Sequence, residues 1–497
     1  MSQPAAVAVA VALSLAAAGG TDLDGRGPTA APRSRDPELV PRECELAPDF
    51  SVTVECSWLL VPMDRDKPRG ETIRLAVAVL KSSAAQPAPD PVVYLEGGPG
   101  GFVVEDLESF ADEPFLESRD LILFDQRGTG LSEPDLECPE REEAVVRNLG
   151  RDEPHRERLA DFRDATKQCR TRITDAGIDL DVFDTEASAA DLADLRVALG
   201  VDAWNLWGIS YGTRLALATM RSHPEGIRSA ILDSVYPPTV GGLGHVDAKA
   251  DRAFQALFDG CAADPACDEA YPDLEDTFRG IVDAFNETPF EGTVDLDEPF
   301  GTVPLVVTGD DITAGLFNAL YDTELISVLP MIGAGLAQGD TAIIPAIAQR
   351  GIPFANSFAE AMQFSVDCAD SGARLGADDL DLLDESGDKG GLFVYFSDAY
   401  CRLWDVEPLP AAFNKPVRSR IPSLVMAGTY DPATPPADSR ATVKALRNAT
   451  YVEFEGSGHG VSFENDCATA IILAFVDDPG APVDITCAED VEPTFTV

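Results

Sequence analysis

The stretch Ala203-Trp204-Asn205-Leu206-Trp207 is short and apolar, and it runs straight into Gly208-Ile209-Ser210-Tyr211-Gly212 and then a helical segment from Thr213 to Ser222. That order constrains the fold more than any other feature. A strand that turns into a helix within so few residues brings the positions two before and two after the turn residue into collision, and glycine stands at both. A strand followed by a helix also needs parallel partners, so this unit belongs in an α/β sheet.

Other segments repeat the theme. Val92-Val93-Tyr94-Leu95 stops abruptly at Glu96-Gly97-Gly98-Pro99-Gly100-Gly101. Leu121-Ile122-Leu123-Phe124 runs into Asp125-Gln126-Arg127-Gly128-Thr129-Gly130, and Ser229 to Leu232 reads as a fourth strand. Between Cys44 and Lys81 short alternating runs such as Ile73 to Leu80 predict antiparallel strands. Residues 140–200 are helical and charged, with an amphipathic helix from Ala187 to Leu199. Past Pro238 the strand–glycine–helix units cease, and they resume only at Pro422 to Gly428 and Thr450 to Phe454. The division expected is a signal-like segment 1–20, a flexible linker 21–42 and a first part of the core at 43–240. An inserted, mainly helical lid at 241–415 and a second part of the core at 416–497 complete it.

The charge and the cysteines narrow the setting. With 86 acidic against 37 basic residues the net charge is -49, which repels nucleic acid and anionic membranes. An Ala/Val/Leu run to Ala18 ending in Gly19-Gly20 looks like a secretory signal, although the first basic residue is Arg26. No later apolar stretch reaches the roughly 18 residues a membrane span requires. A soluble protein, secreted or in the cell envelope after signal removal, is the expectation. The ten cysteines fall into near neighbours, and local disulfides are the economical pairing in an oxidising compartment. The pairs are Cys44 with Cys56, Cys138 with Cys169, Cys261 with Cys267, Cys368 with Cys401, and Cys467 with Cys487. Sequence leaves other connectivities open. None of the cysteines has zinc spacing, so no metal is expected.

In its tight turn Ser210 stands proud of the sheet at the positive end of the following helix. A serine hydroxyl needs a base to take its proton, usually a histidine held by a carboxylate. There are four histidines. His155 lies in a charged helix, His223 at a helix end and His245 in a glycine loop near the start of the lid. His459, in Gly456-Ser457-Gly458-His459-Gly460, follows a strand late in the chain and alone fits the order serine, acid, histidine. For the acid, Asp431 directly follows the strand ending at Gly428, whereas Asp438 looks like the cap of the next helix. An oxyanion would be held by the amides of Tyr211 and, in the glycine loop, Gly98. Asp125 and Arg127 read as ties for their own loop.

Together these residues resemble the proline iminopeptidase branch of the α/β hydrolases, and in particular its larger exported tripeptidyl aminopeptidase-like members. The likeness runs from about Cys44 to Cys487. It rests on Gly97-Gly98-Pro99-Gly100-Gly101, Asp125-Gln126-Arg127-Gly128-Thr129-Gly130-Leu131-Ser132, the turn at Ser210, and the Asp431 and His459 loops. Cys368-Ala369-Asp370 and Cys401-Arg402-Leu403-Trp404 add to it. The resemblance implies the α/β-hydrolase fold, a mostly parallel sheet flanked by helices, with an inserted helical lid. It also implies a peptide substrate cut near its free amino terminus, with no metal or organic cofactor. Acidic groups must then hold the substrate's ammonium, and Glu96 and Asp370 are the candidates. The same branch includes esterases, so a carboxylesterase is the alternative, and a catalytically silent binding protein a third reading.

Overall fold

The computed structural model describes residues 37–47, 50–153, 155–240, 246–296, 299–355, 358–371, 399–489 and 495–497. The signal-like segment 1–20 and His245 lie outside them. Among the described residues no helix is long and apolar enough to cross a membrane.

Nine strands form one sheet: β1 (Glu38–Pro41), β2 (Val54–Pro62), β3 (Thr72–Leu80), β4 (Val92–Leu95), β5 (Leu121–Phe124), β6 (Trp204–Ile209), β7 (Ile227–Asp233), β10 (Ser423–Gly428) and β11 (Ala449–Phe454). Their spatial order is β1-β2-β3-β5-β4-β6-β7-β10-β11. The pairs from β1 to β5 run antiparallel, and those from β5 to β11 run parallel. This is the α/β-hydrolase architecture. Every residue of β4, β5, β6 and β10 is buried. Helices cover both faces of a parallel sheet, which explains why these strands read as unbroken apolar runs. On one face Leu192, Leu195 and Leu215 of the helices Thr185–Ala198 and Tyr211–Ser222 pack against Val93, Leu95 and Leu206. On the other face Ile471, Ile472 and Phe475 of the helix Asp466–Asp477 meet Tyr94, Trp207 and Met426.

Glu38–Pro41, placed by sequence within the flexible linker, instead pairs with Ser57–Leu60 at the sheet edge. Four residues ending in proline carry too short an alternation to reveal a strand, and edge strands tolerate proline.

The insertion contains the helices Val246–Ala263, Leu274–Glu287, Gly309–Ala319, Thr323–Ala337 and Ile344–Ala355 around their own core of Leu257, Phe278, Leu305 and Leu329. It also holds a hairpin, β8 (Phe290–Asp295) with β9 (Thr302–Val307), which the sequence reading did not separate from the helices. The helix Glu360–Ser371 behaves differently from the rest of the insertion. Its residues from Ala361 to Ser371 are all buried, and Met362, Val366 and Ala369 join the same core cluster as Leu195 and Tyr211. All five neighbouring cysteine pairs are disulfides.

The register brings five strand ends together. Leu95 lies beside Gly208, and both Ile209 and Met426 lie beside Asp233. Gly428 is level with Phe454. Loops leaving β4, β6, β7, β10 and β11 therefore converge at the carboxyl edge, where α/β sheets bind ligands.

Candidate active site

Ser210 sits between β6 and the helix Tyr211–Ser222 with φ 55° and ψ −123°, a conformation costing about 1–3 kcal/mol for a residue with a side chain. The surroundings enforce it. A Cβ on Gly212 would lie 1.8 Å from the Leu95 carbonyl, and one on Gly208 would lie 2.6 Å from the Gly212 carbonyl. The Ser210 amide donates to the Asp233 carbonyl at 3.1 Å. Its Oγ is buried without a hydrogen-bond partner among the described residues.

The glycine loop after β4 packs directly on this turn. A Cβ on Gly97 would stand 3.1 Å from Ser210 Cβ, and Gly98 adopts φ 106°. The Gly97 amide donates to Glu96 Oε1 at 2.6 Å, and Tyr94 Oη donates to Glu96 Oε2 at 3.1 Å. Glu96 thus commits both oxygens inside the protein. Burial pushes its carboxyl up to about 7, against the pull of the Gly97 amide and Tyr94. An acid raised in this way favours the folded state fully below its unfolded pKa near 4.5, and the benefit fades as pH rises toward 7. Glu96→Gln is therefore expected to gain melting temperature relative to wild type at pH 8, the gain vanishing by pH 4. Thermal melts at the two pH values check this; equal differences at both would contradict it.

Asp125 receives the amides of Val103, Val104 and Leu131 at 2.8–3.0 Å, fastening the glycine loop to its own loop. Arg127 reaches further than its own loop. It holds both oxygens of Asp191, at 2.7 and 2.8 Å, on the helix Thr185–Ala198 and donates to the Met63 carbonyl.

Asp431 and His459 meet at 2.8 Å through Oδ2 and Nδ1, both buried. Asp431 Oδ1 accepts the Ala433 and Thr434 amides, and Thr434 Oγ1 donates to Oδ2 at 2.7 Å. Burial alone would raise this carboxyl, but the His459 ring and the Thr434 donors outweigh it and hold it down at about 2. The Arg252 guanidinium, on the insertion, donates to the Thr429 and Asp431 carbonyls. Asp438 is not a helix cap. It lies in the first turn of the helix Pro436–Val443, 3.6 Å from Lys249, and Pro435 takes the cap position because it presets the entry backbone.

His459 Nε2, like Ser210 Oγ, is buried without a hydrogen-bond partner among the described residues. Catalytic hydrogen bonds are often long in the absence of substrate. Sequence reasoning passed over Asp233 and Ser234, which hold the histidine loop from beneath. Ser234 Oγ accepts the Gly460 amide at 2.8 Å, and Asp233 Oδ2 accepts the Ser462 amide and hydroxyl at 2.8 and 2.7 Å. The available signal was a polar Asp-Ser pair at the end of an apolar strand. Of the other histidines, His223 closes the helix Tyr211–Ser222 and His155 begins the helix His155–Asp175.

Tyr211 Oη shares a 2.8 Å hydrogen bond with Thr185 Oγ1, which donates to Asp370 Oδ2 at 3.0 Å. Arg214 pairs with the same carboxylate at 3.0 Å, and both side chains are buried. Burial pushes Asp370 up to about 7 even so. Asp370 is therefore held through Oδ2, while its Oδ1 is buried without a hydrogen-bond partner among the described residues.

The strand order, the strained serine and the buried His459–Asp431 pair define the class. The alpha/beta hydrolase fold family matches residues 90–281, and the TAP-like protein family matches residues 391–487. The chain is a serine hydrolase with the α/β-hydrolase fold, and its C-terminal part resembles the TAP-like proteins. Among its relatives, Serine protease Hip1 of Mycobacterium tuberculosis is 28% identical over 85% of this chain and 84% of that protein. Tripeptidyl aminopeptidase of Streptomyces coelicolor is 24% identical over 95% and 90%. Carboxylesterase B of Mycobacterium tuberculosis is 26% identical over 95% and 94%. A crystal structure of proline iminopeptidase from Mycobacterium smegmatis aligns at 17% identity over 85% of this chain and 98% of that one, with a TM-score of 0.42.

Proposed function

We propose that the chain is an exported serine peptidase that removes short fragments, or a single residue, from the free amino terminus of peptides. The observation that carries the chemical half is the buried His459–Asp431 pair, its Nε2 without a partner among the described residues, at the same strand-end cluster as Ser210. Ser210 Oγ, losing its proton to His459 Nε2, attacks the peptide carbonyl. The Tyr211 and Gly98 amides receive the oxyanion, Gly98 rather than Gly97 because the Gly97 amide is spent on Glu96. Protonated His459 returns its proton to the leaving amine, and the acyl group stays on Ser210. Water, deprotonated by His459, then releases the acid while Asp431 fixes the ring's tautomer.

The peptide half rests on relatives named as a protease and a tripeptidyl aminopeptidase. Export rests on the five disulfides, which persist in oxidising compartments. Glu96 is engaged through both oxygens, so we do not assign the substrate's ammonium to it, whereas Asp370 keeps Oδ1 without a partner among the described residues and stays the candidate. A relative named as a carboxylesterase keeps the esterase reading as the second one.

A panel of free and N-acetylated tripeptide anilides, proline anilide and a short nitrophenyl ester separates the readings. Turnover of the free peptides well above their acetylated forms is expected, and none by Ser210→Ala. Equal turnover of free and acetylated peptides would sink the aminopeptidase assignment, and cleavage of the ester alone would favour the esterase.

A further inference from the structure

We propose that the base His459 is positioned by the insertion, through Tyr321 and Thr323, so that the cap is a structural half of the catalytic apparatus rather than a cover over it. The proposal rests on the reading of His459 as the base.

The loop carrying the histidine, Gly456-Ser457-Gly458-His459-Gly460, has three glycines in five residues and little conformational restraint of its own. Three successive amides in it are held from outside. Gly460 is held by Ser234, from the sheet side. The other two go to the connection between the cap helices Gly309–Ala319 and Thr323–Ala337. The His459 amide donates to the Tyr321 carbonyl at 2.9 Å, and the Gly458 amide donates to Thr323 Oγ1 at 3.0 Å.

The contact is close and reciprocal. A Cβ on Gly458 would stand 2.6 Å from the Tyr321 carbonyl oxygen and 2.7 Å from that of Leu320, so only glycine lets the two backbones meet. Thr323 is fixed in turn, because its amide donates to Glu464 Oε2 at 2.9 Å, just beyond the histidine loop. The Tyr321 ring lies against the imidazole, with centroids 5.0 Å apart and planes at 54°, and Phe317 also packs against it at 5.7 Å. Asp431 therefore fixes Nδ1, while the cap fixes the height of the backbone and one face of the ring. A shift of these two cap helices moves Nε2 with them. Displacements near 1 Å at a reacting group cost about a hundredfold in rate.

The test is saturation labelling of Ser210 by a fluorophosphonate, which separates the probe's binding constant from its inactivation rate. Gly458→Ala is expected to lower the inactivation rate about a hundredfold with the binding constant unchanged. Thr323→Val, which removes one acceptor, should lower it about tenfold, and Thr323→Ser should restore it to within about twofold. Tyr321→Leu should slow labelling more than Tyr321→Phe. The low-field proton resonance of the His459–Asp431 bond should shift in the slow variants and return in Thr323→Ser, which loss of fold stability alone would not produce. If Gly458→Ala does not fold, the Thr323 pair decides. Folded variants that label at the wild-type rate with an unmoved resonance would overturn the proposal. Failure of the wild type to label would instead overturn the serine-hydrolase reading itself.

Discussion

Ser210→Ala is expected to lower kcat by on the order of a millionfold, leaving only the acceleration that binding and the oxyanion amides supply. The reason is geometric as well as chemical. Ser210 Oγ is buried with no hydrogen-bond partner among the described residues, so the hydroxyl does nothing there for the fold that alanine would not do. The backbone strain at φ 55° is set by Gly208 and Gly212 and survives the substitution. The variant should consequently melt at or slightly above the wild-type temperature, because one unsatisfied buried hydroxyl has gone. Steady-state turnover beside a thermal melt checks both halves. A large loss of stability would mean that the activity loss reports unfolding.

Asp431→Asn should cost about ten-thousandfold in kcat. The surrounding hydrogen bonds dictate why. Oδ1 accepts the Ala433 and Thr434 amides, so the asparagine oxygen must remain there. The new NH₂ then faces His459 Nδ1 in place of an acceptor. Nδ1 must become the unprotonated nitrogen, which puts the proton on Nε2, and Nε2 can no longer accept from Ser210. The wild-type carboxylate also has a signature in stability. Its pKa is held at about 2 against an ordinary value of 3.8. A group depressed in this way stabilises the fold above its unfolded pKa, by about 2 kcal/mol here, and loses that contribution as pH falls through about 2. Urea unfolding should show wild type ahead of Asp431→Asn at pH 6, with the gap narrowing in acid. A gap independent of pH would contradict the ionised carboxylate.

Much of this was legible because the chemistry constrains the backbone as well as the side chains. The turn at Ser210 needs glycine at two fixed places, so it announced both the serine and the parallel sheet. The strands β4, β5, β6 and β10 are buried on both faces, and unbroken apolar runs marked each of them. Where burial is partial the signal weakened. β1 is a four-residue edge strand and β8–β9 a largely surface hairpin, and neither carries a strong alternation. What the sequence hid is contact between distant segments. Asp233 and Ser234 hold a loop more than two hundred residues away, and Tyr321 meets His459 across the boundary between insertion and sheet. Nothing in local composition marks such partners. The same limit affected Glu96 and Asp370. As acids near the site they looked equally available, but Tyr94 and Gly97 occupy both oxygens of Glu96, whereas Thr185 and Arg214 occupy only Oδ2 of Asp370 and leave its Oδ1 without a partner among the described residues.

The central claim is that an acyl group passes through Ser210. Acid-quenching the enzyme during turnover of an activated ester or a peptide anilide, followed by peptide mapping, reads that directly. An acyl adduct on the peptide containing Ser210, absent from Ser210→Ala, is the result predicted. Turnover that continues undiminished in Ser210→Ala, or an adduct that maps to another residue, would contradict it.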